Sequence, residues 1–301
     1  MAKTLLHDCP APAKLNLFLH VNGRRADGYH LLQTVFQLID HGDLLHFDLR
    51  ADGQIRRTTE VAGVPEEQDL IVRILHLLQA EHLRRHGGPA PGIDVAIDKV
   101  LPMGGGLGGG SSDAATALMA VNRIWGSGLS RQDMMSLALP LGADIPFFIF
   151  GESAFAEGVG EELQSVATAN CWYVVIEPGV AVPTAAIFCS DHLTRSTKPV
   201  RIADFSRHLA SRTDMRQFGK NDLQAVASML FPPVAEAIEW LAGYGDARMT
   251  GSGACVFCAF SSESECDVVL SQMPTQFRGW KAQALARHPL HAVLQVEPDV
   301  V

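Results

Sequence analysis

LPMGGGLGGGSSDAATAL, residues 101–118, is the stretch on which the reading turns. From Gly104 to Gly110 only Leu107 interrupts the glycines. Within regular structure each glycine is worse than alanine by about 0.5–1 kcal/mol, so this run is a loop. Its flanks say what kind. In IDVAID (93–98), Ile93, Val95 and Ile97 alternate onto one face of a strand. After the glycines, Ala114, Ala117, Leu118, Val121, Ile124 and Trp125 recur at helical spacing, with Ser111 or Ser112 able to cap the helix and Gly126 to end it. A glycine-rich turn that opens a helix brings free backbone N–H groups and the positive end of the helix dipole to an anion. The loop is read as a phosphate cradle.

Common alternatives fail on spacing. Gly104, Gly106 and Gly109 satisfy G-x-G-x-x-G, but helix and loop follow where a dinucleotide fold needs a strand closed by an acidic residue. A P-loop needs G-K-[ST], and Gly219-Lys220 is followed by Asn221. Neither H-R-D nor D-F-G of the protein kinases occurs.

Composition sets the bounds. With 301 residues, 47% of them hydrophobic and 19% charged, the chain reads as one large or two ordinary globular domains. A net charge of −9 provides no basic field, so no nucleic-acid partner is expected and any bound anion needs a local device. The N-terminus has no apolar signal-peptide core, and no apolar run approaches the roughly 18 residues of a membrane span. The expectation is a soluble, cytoplasmic protein without a membrane partner. Cys9, Cys171, Cys189, Cys255, Cys258 and Cys266 read as free thiols; Cys255 and Cys258 sit on opposite faces of one strand, ACVFCAF, which disfavours a metal or redox pair. His82 and His86, four apart, read as a solvated helix end.

In AKLNLFLHV (13–21), Ala13, Leu15, Leu17, Leu19 and Val21 share the core face of a strand, leaving Lys14 and Asn16 on the other. A turn at Asp27-Gly28 then presents Tyr29 and His30. LLQTVFQLID and DLLHFDL read as two further strands, Asp69 to Glu81 as a helix, and Ser130 to Leu139 as another. LGADIPFFIFG places Asp144 in a loop ahead of a short strand. Helices follow near 222–229 and 234–241, and a second glycine turn, Gly251 to Gly253, leads into ACVFCAF. The pattern is a two-domain α+β or α/β chain, divided into residues 1–160 and 161–301.

The loop resembles that of the GHMP small-molecule kinases, and the resemblance continues in order along the chain: PAKLNLFL from Pro12, RADGYH from Arg25, IDKVLPMGGGLGGGSSDAA from Ile97, LGADIPFF from Leu141, AEGVGE from Ala156, PGVAVPTAAIF from Pro178, NDL from Asn221 and TGSGACVF from Thr250. It implies an N-terminal β-α-β nucleotide-binding domain and a C-terminal ferredoxin-like α+β domain. It implies ATP with Mg²⁺, the nucleotide lying on Pro102, Met103, Gly104, Gly105, Gly106, Leu107, Gly108, Gly109, Gly110, Ser111 and Ser112, and no protein ligand to the metal. Asp144 is implied as general base and Lys14 as its cationic partner. Asn16, Tyr29, His30, Lys99, Asp144, Thr184 and Phe188 are implied as substrate contacts, with Tyr29 and Phe188 stacking on a cytosine ring. The small-molecule substrate so implied is a cytidine diphosphate derivative of methylerythritol, phosphorylated on its 2-hydroxyl on the non-mevalonate route to isoprenoid precursors. The expected state is monomer or homodimer. Rival readings are a GHMP kinase acting on homoserine, mevalonate or a sugar, a non-catalytic nucleotide sensor, and an RNA-binding module.

Overall fold

The computed structural model describes residues 5–210 and 218–294. The N-terminal half runs β1 (Leu5–Arg24), β2 (His30–Arg50), β3 (Ile55–Arg57), α1 (Leu70–His86), β4 (Gly92–Asp98), α2 (Gly109–Trp125), α3 (Arg131–Ala138), α4 (Ile145–Phe150), β5 (Ala154–Glu157) and β6 (Glu162–Ser165). The C-terminal half runs β7 (Trp172–Glu177), α5 (Thr184–Cys189), α6 (Ile202–Ala210), α7 (Gln224–Leu230), α8 (Pro232–Ala242), β8 (Arg248–Met249), β9 (Val256–Phe260), α9 (Glu263–Ser271), β10 (Arg278–Leu285) and α10 (Leu290–Val293).

One sheet unites them, in the order β3-β4-β2-β10-β7-β9-β8, with β1 and β5 also paired to β2 and β6 to β5. Strand β10, late in the chain, pairs with β7 on one side and with β2 at Leu38 and Ile39 on the other. The sheet is therefore continuous across the two halves. The expected division at 160/161 falls in the turn between β5 and β6.

The long antiparallel pair β1–β2 positions the site, and it departs from the sequence expectation twice. The two strands expected in 31–49 are one strand, because Gly42 passes so close to β1 that a Cβ there would lie 2.2 Å from the Ala11 carbonyl oxygen. Strand β1 is also buried on both faces: Lys14, Asn16, Phe18 and His20 are covered as fully as Leu15 and Leu19. The face read as open is overlaid by the C-terminal half, through Thr250 on Asn16, Phe218 on Phe18 and Lys220 on His20. A shift of register between Asn16 and Leu19 hands the strand from one core to the next.

Two further corrections bear on the site. PFFIF is not a strand but the helix α4, buried at every position from Ile145 to Ile149. Pro146 in its first turn and left-handed Gly151 at its end are helix punctuation, whereas a short wholly apolar run does not distinguish helix from strand. Neither Ser111 nor Ser112 caps α2; the cap position is Gly108, in the left-handed conformation and with no side chain to offer. Helix α1 begins one residue after its expected start, capped by the Asp69 carboxylate on the Ile71 N–H, and runs on to His86. Helix α3 has the Ser130–Asp133 capping box at its expected start. None of the six cysteines is joined in a disulfide, and Cys255 and Cys258 belong to different cores on opposite faces of the sheet. His82 and His86 bond to the hydroxyl and carbonyl of Ser127, so this helix end is docked rather than simply solvated. No helix among the described residues is long and apolar enough to cross a membrane.

Candidate active site

The glycine loop leaves β4 and wraps the edge of a cleft between the halves. It is held by backbone on every side. Ala254 and Cys255 donate N–H groups to the carbonyls of Gly104 and Gly105, and Lys14 donates its own to Leu107. Thr250 adds its hydroxyl to the Gly106 carbonyl. Gly106 has φ 75°, and a Cβ on it would fall 2.1 Å from the Thr250 carbonyl oxygen, so only glycine lets the second glycine turn brace the first. At Gly108, with φ 73°, a Cβ would fall 2.8 Å from the Phe148 ring of α4.

Past Gly108 the first helical hydrogen bond runs from Ser112 N–H to the Gly108 carbonyl. The amides of Gly109, Gly110 and Ser111 thus have no acceptor within the helix. They edge a cavity of about 360 Å³ lined by Pro102 to Ser111 and walled by Val61, Val64, Leu70 and Ile97. An apolar wall beside free amides suits a flat ring attached to phosphates. Ser112 differs from its neighbours: it is fully buried, and its hydroxyl donates to the Pro12 carbonyl, away from the cavity.

Lys99 is on this side of the loop, not with Asn16, Thr184 and Phe188. Its Nζ lies 2.5 Å from Asp43 and 2.8 Å from Asp113 and packs against Gly109. Burial acts to lower its pKa, but Asp113 and Asp43 outweigh that and raise it. Burial pushes the Asp113 carboxyl well up against the opposing pull of Lys99. Asp43, which also accepts the N–H groups of Val100 and Leu101, was not singled out in the sequence; its partners lie some 56 to 58 positions away.

Across the loop, Gly104, Gly106 and Gly108 also line a second cavity, of about 230 Å³, with Lys14, Asn16, Thr34, Asp144, Thr184, Phe188 and Ser252. Lys14 Nζ is 2.5 Å from Asn16 Oδ1 and 3.7 Å from Asp144 Oδ2. The amide of Asn16 donates onward to Thr34, which fixes its oxygen toward Lys14. Lys14 is fully enclosed; burial lowers its pKa, and the charge of Asp144 works against that shift. Asp144 stands at the N-cap of α4, about one-third exposed and open to the cleft. An ammonium and a carboxylate facing one cleft can order a hydroxyl group and take its proton.

The cleft widens into a third cavity of about 940 Å³ that shares Asp144, Thr184 and Phe188 and adds Tyr29, His30 and Arg195. Thr184 is tied to Ser252 of the second glycine turn at 2.7 Å. The rings of Tyr29 and Phe188 are not in contact. His30 takes the face of Phe188, with centroids 4.9 Å apart and planes 29° from parallel, while Tyr29 stands 65% exposed. Burial, then Arg195 and Arg24, lower the pKa of His30. Arg195 carries no local motif that would have flagged it. Among the described residues no group of three or more His, Cys, Asp or Glu side chains could hold a metal ion.

Comparison with known proteins follows this geometry. Residues 69–152 match the family described as GHMP kinases N terminal domain, and residues 203–279 that described as GHMP kinases C terminal. The chain is 62% identical over 290 residues to a protein of Herminiimonas arsenicoxydans named 4-diphosphocytidyl-2-C-methyl-D-erythritol kinase, covering 96% of this chain and 98% of that one. A protein of the same name from Janthinobacterium sp. (strain Marseille) is also 62% identical, with the same coverage. A crystal structure of 4-(cytidine 5'-diphospho)-2C-methyl-D-erythritol kinase superposes with TM-score 0.78 at 29% identity, covering 93% of this chain and 99% of that one. Homoserine kinase from Cytophaga hutchinsonii superposes with TM-score 0.72 at 16% identity, over 96% of this chain and 97% of that one, which is a likeness of fold alone.

Proposed function

The chain belongs to the GHMP kinase family, and we propose that its three connected cavities seat ATP, the transferring phosphoryl group and a cytidine diphosphate substrate in that order. It is a small-molecule kinase. Its reaction is transfer of the ATP γ-phosphoryl group to the 2-hydroxyl of 4-diphosphocytidyl-2-C-methyl-D-erythritol, giving the 2-phosphate and ADP. The observation that carries the mechanism is the pair Lys14–Asp144, 3.7 Å apart, where the cavity along the glycine loop meets the cavity around Phe188.

The adenine ring lies against Val61, Val64, Leu70 and Ile97, and the phosphates follow the amides of Gly109, Gly110 and Ser111. Asp144 accepts the proton of the substrate hydroxyl as its oxygen bonds to the γ-phosphorus and the bond to the ADP oxygen breaks. Lys14, held by Asn16, stabilises the charge that develops on the transferring group. Thr184 and Ser252 border the path of the diphosphate, and Tyr29, His30 and Phe188 receive the base.

The two carboxylates that line the nucleotide cavity are both engaged, Asp113 by Lys99 and Asp69 by Arg57 and the Ile71 N–H. A Mg²⁺ ion would then be held chiefly by phosphate oxygens and water, with the Ser111 hydroxyl available to it, and would supply charge neutralisation between the phosphates.

The test offers the native protein ATP and Mg²⁺ with the cytidyl diphosphate substrate, homoserine, mevalonate or galactose, and reads ADP release and product structure. Turnover is expected only with the first, the new phosphate on its 2-hydroxyl. Equal or faster turnover with another acceptor would contradict the reading.

A further inference from the structure

Arg195 follows α5 and closes the wide end of the cleft. Its Nη2 donates to the carbonyls of Phe188 and Ser190 at 2.9 and 2.8 Å, its Nη1 to that of Leu193 at 3.2 Å, and its Nε to His30 Nε2 at 3.2 Å. The guanidinium therefore ties the end of α5, in the C-terminal half, to the first residue of β2, in the N-terminal half.

The fourth bond has a chemical consequence. A guanidinium N–H donates and never accepts. His30 Nε2 must accept, so it carries no proton, and the single proton of the neutral ring is on Nδ1. A second proton is opposed: burial and the charges of Arg195 and Arg24 all depress the His30 pKa. The charged groups lining this cavity are Arg24 at the end of β1, Asp27 from the β1–β2 turn, Asp144 ahead of α4, and Asp191 and Arg195 from the segment after α5. Nδ1 makes no hydrogen bond among the described residues. The ring plane is set as well, since it stacks on Phe188, whose own carbonyl Arg195 holds.

We infer that Arg195 is a positioning residue that fixes His30 as the neutral ring protonated at Nδ1, so that the pocket presents an N–H donor and selects cytosine over uracil. The N3 atom of cytosine accepts a hydrogen bond, whereas that of uracil carries a proton and would meet the donor head-on. This rests on reading the cavity as the seat of the base.

The experiment records ¹⁵N spectra of the histidine rings in the full chain, native and as Arg195→Met and Arg195→Lys, and measures CDP and UDP affinity and the separate KM values for both substrates. In the native protein His30 should show a protonated Nδ1 and a bare Nε2, the reverse of the form that a free histidine side chain prefers. In Arg195→Met the proton should move to Nε2, and the ring should titrate nearer its ordinary value of 6.5. The preference for CDP over UDP should fall about tenfold, the size of one hydrogen bond. The KM of the cytidyl substrate should rise while that of ATP stays put. Arg195→Lys, which keeps a donor, should restore the native ring spectrum. A native ring protonated at Nε2, or a CDP:UDP ratio unchanged in a folded Arg195→Met protein, would overturn the inference. A native ring protonated at Nδ1 in a protein that binds neither nucleotide would instead overturn the reading of the cavity, and the selectivity with it.

Discussion

At one end of the cleft the glycine loop is fixed by main chain: N–H groups of Ala254, Cys255 and Lys14 close on the carbonyls of Gly104, Gly105 and Leu107. At the other end the pocket is built of side chains. His30 leans on Phe188, Arg195 holds both, and Tyr29 stands in solvent. The loop is thus shaped by main chain, whereas the pocket is shaped by side chains, with His30 and Phe188 held by Arg195 and Tyr29 open to solvent. A phosphate, common to every substrate of a kinase, suits a rigid backbone seat; a base, which defines one substrate, suits a set of side chains.

Substitutions should separate the two ends. The largest effect belongs to Gly106→Ala, whose methyl group would collide with the Thr250 carbonyl at a left-handed backbone position. A loss of about 2–4 kcal/mol in stability and of nucleotide binding is expected, by thermal melting and by ATP titration. Gly104→Ala is the control within the same loop. Gly104 is also left-handed, but its Cβ would meet nothing within 4 Å, so it should cost only about 1–2 kcal/mol. Equal effects of the two would mean that contact with the second glycine turn does not shape the loop.

Smaller and confined to the other end is Phe188→Ala. Losing one face of the base pocket should raise the KM of the cytidyl substrate about tenfold, with the KM of ATP unchanged in steady-state kinetics. A parallel rise in both would show that the two ends are not separable.

The smallest effect at neutral pH comes from behind the cleft. His288 is buried, donates its backbone N–H to the carbonyl of Gly151 at the end of α4, and has its ring pKa lowered by burial, and then by His291, to about 3 from 6.5. Between those values the unfolded chain binds a proton that the folded chain refuses. The associated stability is complete above 6.5 and drains away as pH falls toward 3, by up to about 1.4 kcal/mol per unit. Denaturant melts from pH 7 to 4 should show this slope, and His288→Gln should flatten it. An unchanged slope would place the acid sensitivity elsewhere.

What could be read from the sequence divides along the same line. The glycine loop is legible because its signal is local: strand, glycines and helix lie within 34 consecutive positions, Gly92 to Trp125. Lys14 and Asp144 were legible through flanking motifs, although the burial of Lys14 was not, since the cover over β1 comes from residues some 200 positions later. The helix α4 was misread because its apolar positions go all the way round. Asp43 and Arg195 escaped notice because each acts on residues far along the chain, 165 positions in the case of Arg195 and His30. The stacking of His30 on Phe188 depends on a rotation of side chains that no sequence pattern encodes.

The proposed transfer turns on the Asp144 carboxylate beside Lys14. The most direct measurement compares native protein with Asp144→Asn for ADP release from ATP and Mg²⁺ with the cytidyl diphosphate substrate, alongside the affinity for each ligand. Turnover should fall by at least about 10²-fold with ATP and substrate still bound. Turnover retained within a few-fold in the variant would contradict that role for Asp144.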